Sequence, residues 1–135
     1  MSDRRFVDTN LIVRHLVQDD ERNAKIASRL FEACDRGAIR LVLLPAVVAE
    51  CVFVLESFYG HPRTDIAQAL AALCGSPGVE LADRAVHLDA LERYRRTKLH
   101  FVDCTIAAAA AAEGVSVATL DRGFKKFSDV RIDVD

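Results

Sequence analysis

Four carboxylates, Asp8, Glu50, Asp103 and Asp121, stand where they could act together on a phosphate. Glu50 is the most conspicuous, because it is the only charged residue between Leu41 and Leu55. Burying a lone carboxylate in such a run is costly unless a cation or a hydrogen-bond donor compensates it. The pattern therefore predicts a buried acid that has a use, with a salt bridge to an arginine such as Arg14 as the plainer alternative. The other three have plainer alternatives too: Asp8 and Asp103 can cap helices, and Asp121 can open an Asp-Arg-Gly turn. Gathered together, four carboxylates repel one another, and some must protonate or bind cations. Magnesium or manganese, which take hard oxygen ligands, is the natural compensation. A metal so held can polarise a phosphodiester, lower the pKa of a water and stabilise the leaving oxygen, which is hydrolytic nuclease chemistry.

The elements that must position these acids follow from apolar periodicity and its breaks. Arg5-Phe6-Val7 reads as a short strand ending at Asp8, and Thr9-Asn10 opens a helix to about Val17. Asp19-Asp20-Glu21 places acid at the start of a second helix, where the helix dipole favours it, and Gly37 ends that helix. Ile39 to Leu44 reads as a buried strand, and Pro45 begins the helix that carries Glu50 to about Tyr59. Gly60-His61-Pro62 breaks that helix, and Thr64 or Asp65 can cap the next. Val79-Glu80-Leu81 is a very short strand, and Asp83 can cap a helix to about Thr97. Phe101-Val102-Asp103 enters an alanine-rich helix closed by Gly114. Val115 to Leu120 reads as another buried strand ending at Asp121, a short helix follows, and Val130 to Val134 reads as an edge strand.

Strands alternating with helices predict an α/β fold, a three-layer α/β/α sandwich around a mainly parallel sheet of four to five strands. Right-handed crossovers put every strand-to-helix turn at one sheet edge, where such folds bind ligands. All four acids can lie at or near that edge, although they come from distant parts of the chain.

Composition sets the remaining bounds. With 135 residues and 51% apolar content, one domain spanning 1–135 with its own core is expected. No apolar run is long enough for a transmembrane helix, and no signal region follows Met1, so a cytoplasmic protein without a membrane partner is expected. Cys34, Cys51, Cys74 and Cys104 form no metal-binding pair and read as reduced core thiols. The net charge of −2 excludes a large polybasic surface but not a nucleic-acid substrate. Two basic clusters, Arg93, Arg95, Arg96 and Lys98, and Arg122, Lys125, Lys126 and Arg131, read as solvated faces or as flanks of an acidic cleft.

Asp8-Thr9-Asn10 after a strand, the helix from Val47 to Leu55 around Glu50, Phe101-Val102-Asp103-Cys104 before an alanine-rich helix, and Thr119-Leu120-Asp121-Arg122 together resemble the PIN-domain family over essentially the whole chain. The nearest resemblance is to its VapC-type branch, the ribonuclease toxins of type II toxin–antitoxin pairs. The resemblance implies a magnesium-dependent endoribonuclease, with manganese able to substitute. Asp8, Glu50, Asp103 and Asp121 would be its acidic quartet. Asp8 and Asp103 are implied as direct metal ligands, Glu50 as a ligand or as the holder of the attacking water, and Asp121 as acting directly or through water. Asn10 and Thr119 correspond to the family's supporting polar positions, with turn or core hydrogen bonding as the alternative. A homodimer, an RNA substrate and a small antitoxin partner are implied as well. Alternative readings are a solitary RNA-processing nuclease and a catalytically silent RNA-binding or assembly module. An aspartyl phosphatase would want an acid where Asn10 stands, and a phospho-receiver domain would want an acid pair after the first strand.

Overall fold

The computed structural model describes residues 3–134, which group into two units, one up to Arg84 and one after it. Met1, Ser2 and Asp135 lie outside the described residues, and with them the reading of the start of the chain.

In the first unit β1 (Asp3–Phe6), β2 (Ile39–Val42) and β3 (Val79–Glu80) form a parallel sheet in the order β1-β2-β3. Arg4 is paired with Arg40, and Val42 with Glu80. The period of two splits the strands by face. Ile39, Leu41, Leu43, Val79 and Leu81 are buried, whereas Arg4 and Arg40 converge on Glu80 at 2.9 and 3.0 Å. Those two guanidiniums hold the Glu80 carboxyl down at about 2.

Asp8 caps α1 (Thr9–Val17), and Gln18 ends it in a left-handed conformation at φ 63°. Asp20 caps α2 (Glu21–Asp35) by accepting from the Asn23 N–H. The two helices pack together, His15 stacking on Phe31 with ring centroids 4.5 Å apart. Helix α3 (Pro45–Phe53) has proline at its first turn, as expected, and continues as a π-helical turn, Val54–Phe58. Helix α4 (Arg63–Gly75) starts earlier than read, its cap position falling at Pro62, two residues before Thr64. Pro62, at φ −63°, already supplies the entry geometry, so neither Thr64 nor Asp65 caps it, and Asp65 lies in the first turn.

The second unit holds α5 (Arg84–Arg96, its first residue belonging to the first unit) and α6 (Phe101–Glu113). Gly114, at φ 68°, closes α6, where a side chain would be strained. The segment Val115–Leu120 is not a buried strand. Only Val117 pairs, in a parallel bridge with Ile132, and Leu120 is 92% exposed. Thr119 diverts the chain by accepting from the Asp121 N–H at 2.9 Å, and a 3₁₀ turn, Arg122–Lys126, follows. The expected α/β class with a parallel sheet is what the chain forms. Among the described residues the sheet has three strands, where four to five were expected, and Val117 and Ile132 form an isolated bridge. Cys34, Cys51, Cys74 and Cys104 are all buried thiols. No helix of the described residues is long and apolar enough to cross a membrane.

Candidate functional site

Asp8 sits at the turn from β1 into α1, exposed to solvent. Its Oδ1 accepts from the Leu11 N–H at 3.0 Å, so the capping alternative is real, but it occupies only one of the two oxygens.

Glu50 is not buried. It is exposed on α3, while Val48, Cys51, Val52 and Leu55 are buried. Those four recur at helical spacing, i, i+3, i+4 and i+7, and form the inner stripe; Glu50 lies on the other side. The apolar run misleads because it continues across a strand and both faces of a helix. The alternative salt bridge is absent too: Arg14 Nη1 contacts Asp19 Oδ1 at 2.7 Å, and Glu50 has no hydrogen bond or ion pair among the described residues.

The charges of Asp8 and Glu50 nevertheless act on one thiol. The Cys51 thiol is pushed up to about 12, first by burial, then by the charge of Glu50, by Cys74 and by Asp8, against a lowering hydrogen bond from Thr9. Helix α1 packs on α3, and Thr9 reaches this thiol.

In the second unit Asp103 lies in the first turn of α6, half-buried. It has no hydrogen bond or ion pair among the described residues. Asp121 is exposed and caps the 3₁₀ turn, its Oδ1 accepting from the Gly123 N–H at 2.7 Å. A Cβ on Gly123 would come within 2.4 Å of Leu99 Cδ2, so a larger residue here would make the Leu99 side chain shift. The Asp-Arg-Gly turn read as an alternative for Asp121 therefore exists, and Thr119 serves the same turn.

Each unit thus supplies two carboxylates. Among the described residues no three His, Cys, Asp or Glu side chains are grouped closely enough to hold a metal ion. The donors are of the right chemistry for magnesium or manganese, being hard oxygens with uncommitted lone pairs on Asp8, Glu50 and Asp103.

The basic clusters divide. Arg93 is 4% exposed, forks onto Asp129, bonds Asp89 at 3.1 Å and lies over the Phe127 ring at 4.8 Å. Arg95 and Arg96 pair with Glu92. Lys98, Arg122, Lys125 and Lys126 remain exposed, and Arg131 donates to the Gly114 carbonyl.

Beside Asp8 the first unit has a cavity of about 310 Å³. Helix α1 contributes Thr9, Asn10, Val13 and Arg14; Glu50 and the π-helical segment contribute the other wall with Val54, Phe58 and Tyr59. The Tyr59 hydroxyl and Arg14 both donate to Asp19. The sequence marked Asp19 only as a helix-start acid, and a π-helical turn leaves no periodic signature short enough to read.

The profile of the PIN domain matches residues 5–130, starting before Asp8 and ending after Asp121. The chain belongs to the PIN family. PIN domains are generally nucleases, hydrolases of phosphodiester bonds, and usually employ divalent metal ions. No curated protein gives a significant match. In this PIN domain the match takes in all four acids and the residues that line the cavity of the first unit.

Proposed function

We propose that this PIN domain is a magnesium-dependent endoribonuclease and the toxin component of a type II toxin–antitoxin pair. The observation that carries the reading is a family match running from before Asp8 to beyond Asp121. Asp8 and Asp103 would hold the metal, manganese serving in place of magnesium. When bound, the ion polarises the phosphodiester and stabilises the leaving oxygen. Glu50, exposed and uncommitted, holds and orients the attacking water. Asp121 acts through water, since one of its oxygens is committed to Gly123. Exposed Lys98, Arg122, Lys125 and Lys126 supply phosphate contacts, and single-stranded or looped RNA is the substrate class. A small antitoxin and a second copy of the chain are the proposed partners, in the cytoplasm.

Protein freed from any partner is expected to cut RNA with magnesium or manganese and to stop when the metal is chelated. Asp8→Asn and Asp103→Asn are each expected to lower kcat by at least about 100-fold, of the order seen when charge stabilisation of a transition state is lost. Both should keep their unfolding midpoint, because neither removes buried packing. Unchanged cleavage by Asp8→Asn overturns the assignment. For the toxin role, a small protein encoded beside this gene should bind the chain and silence it.

A further inference from the structure

The cavity beside Asp8 has a lining suited neither to a core void nor to a helix-binding groove. We propose that it is a nucleobase subsite, which takes one base of the RNA strand next to the bond being cut. The proposal rests on the ribonuclease reading above and names how that site selects its substrate.

Size comes first. About 310 Å³ is at the lower end for small-molecule sites. It suits one flat ring system, whereas a docked helix needs a succession of apolar pockets at i, i+3, i+4 and i+7. Val13 and Val54 are the only aliphatic side chains in the wall.

The flat groups come next. Phe58 is 79% exposed and meets Tyr59 edge-on, ring centroids 4.9 Å apart at 73°. Arg14 and Tyr59 are braced by one carboxylate, Asp19, at 2.7 and 3.3 Å. Unpaired bases are held by stacking on aromatic rings and guanidinium planes and by hydrogen bonds to their edges. The edge reader is Asn10. Its side chain is exposed at the cavity and makes no hydrogen bond among the described residues. A carboxamide offers a donor and an acceptor side by side, the pairing that matches a base edge.

Local backbone supports the same use. The Tyr59 N–H bonds the Val54 carbonyl at 3.2 Å, five residues back, which brings Val54, Phe58 and Tyr59 to one wall. Such turns are rarer than regular helix and occur frequently at functional sites. The cavity also adjoins the acids: Thr9 and Asn10 follow Asp8 directly, and Glu50 lines it.

The test combines single-abasic RNAs with two variants, Asn10→Ala and Phe58→Ala. Both side chains are exposed, so neither change empties the core. With an RNA that wild-type protein cuts at one bond, removal of one particular base beside that bond should lower kcat/KM about tenfold, the scale of one lost stacking contact. On intact RNA each variant should lose a similar factor and lose base preference at that position. On the RNA abasic there, neither variant should lose anything further. A readout without cleavage is saturation-transfer NMR of Asp8→Asn protein with AMP, GMP, CMP and UMP. Base protons of at least one nucleotide should be saturated more than its ribose protons, and Asn10→Ala added to Asp8→Asn should abolish this.

If wild-type protein cuts no RNA but the base saturation is present, the ribonuclease reading falls and the base site stands. If RNA is cut and no abasic position couples to the variants, the subsite is overturned. It is equally overturned if the variants weaken only the grip on a bound partner protein, which would make the cavity a protein-docking site.

Discussion

Cys51 is buried, with Thr9 bonded to its sulfur and the charges of Glu50 and Asp8 adding to the effect of burial. A thiol held up near 12 is protonated at any physiological pH and is a poor nucleophile. Burial first of all pushes Cys74 up as well, to about 11. Native protein at pH 8 should therefore leave both unalkylated by iodoacetamide while urea-unfolded protein reacts at both, as mass spectrometry of the products would record. Glu80 is the opposite case. Arg4 and Arg40 lower its carboxyl from the ordinary 4.5 to about 2, so the folded chain accepts that proton only in stronger acid than the unfolded chain does. Its stabilisation is complete above about pH 4.5 and is lost as pH falls toward 2. Urea midpoints measured across that window should fall less steeply for Glu80→Gln than for wild type. The sequence named all four acids of the proposed site and chose the wrong environment for Glu50. Neighbours in sequence stood in for neighbours in space; the stripe Val48, Cys51, Val52 and Leu55 was already present in the letters.

Element boundaries were legible wherever a residue has a special backbone role. Pro45 starts α3, Asp20 caps α2 and Gly114 closes α6, each for a local reason that needs no tertiary contact. The errors fall where a longer-range partner decides. Val115–Leu120 carries a strand-like composition, yet Thr119 spends its hydroxyl on the Asp121 turn and only Val117 finds a strand partner. Arg93 reads as one member of a basic cluster until Asp129 and Phe127, more than thirty residues further along, enclose it. Its bonds tie the segment after the 3₁₀ turn to α5, and its pKa is raised, foremost by the hydrogen bond with Asp129. Arg93→Met, which keeps the apolar stem, should cost about 2 kcal/mol in urea unfolding, the scale of hydrogen bonds to charged groups. Asp129→Asn should cost less, because that carboxylate is 55% exposed and solvent screens it.

Across the whole molecule, the family match at 5–130 spans both units, and the acids are shared equally between them. That distribution is why an order of motifs along the chain was informative where any single motif was not: Asp8 and Asp121 each do have the capping roles that a plain reading assigns them. The base subsite was not legible, because it depends on a turn of five residues, Val54–Phe58, wound more loosely than the helix before it. That turn has a hereditary consequence. Such a turn accommodates one residue more than a regular helix would, so losing a single codon, that of exposed Ser57, would let α3 run on in its ordinary winding. Tyr59 would then stand four residues after Val54 and bond the same carbonyl, so it would keep its place on the cavity wall. The deletion should raise the melting temperature by a few degrees while cleavage keeps its base preference, with all four acids untouched. An in-frame loss of three bases could thus smooth the helix and leave both the selectivity and every catalytic group unaltered.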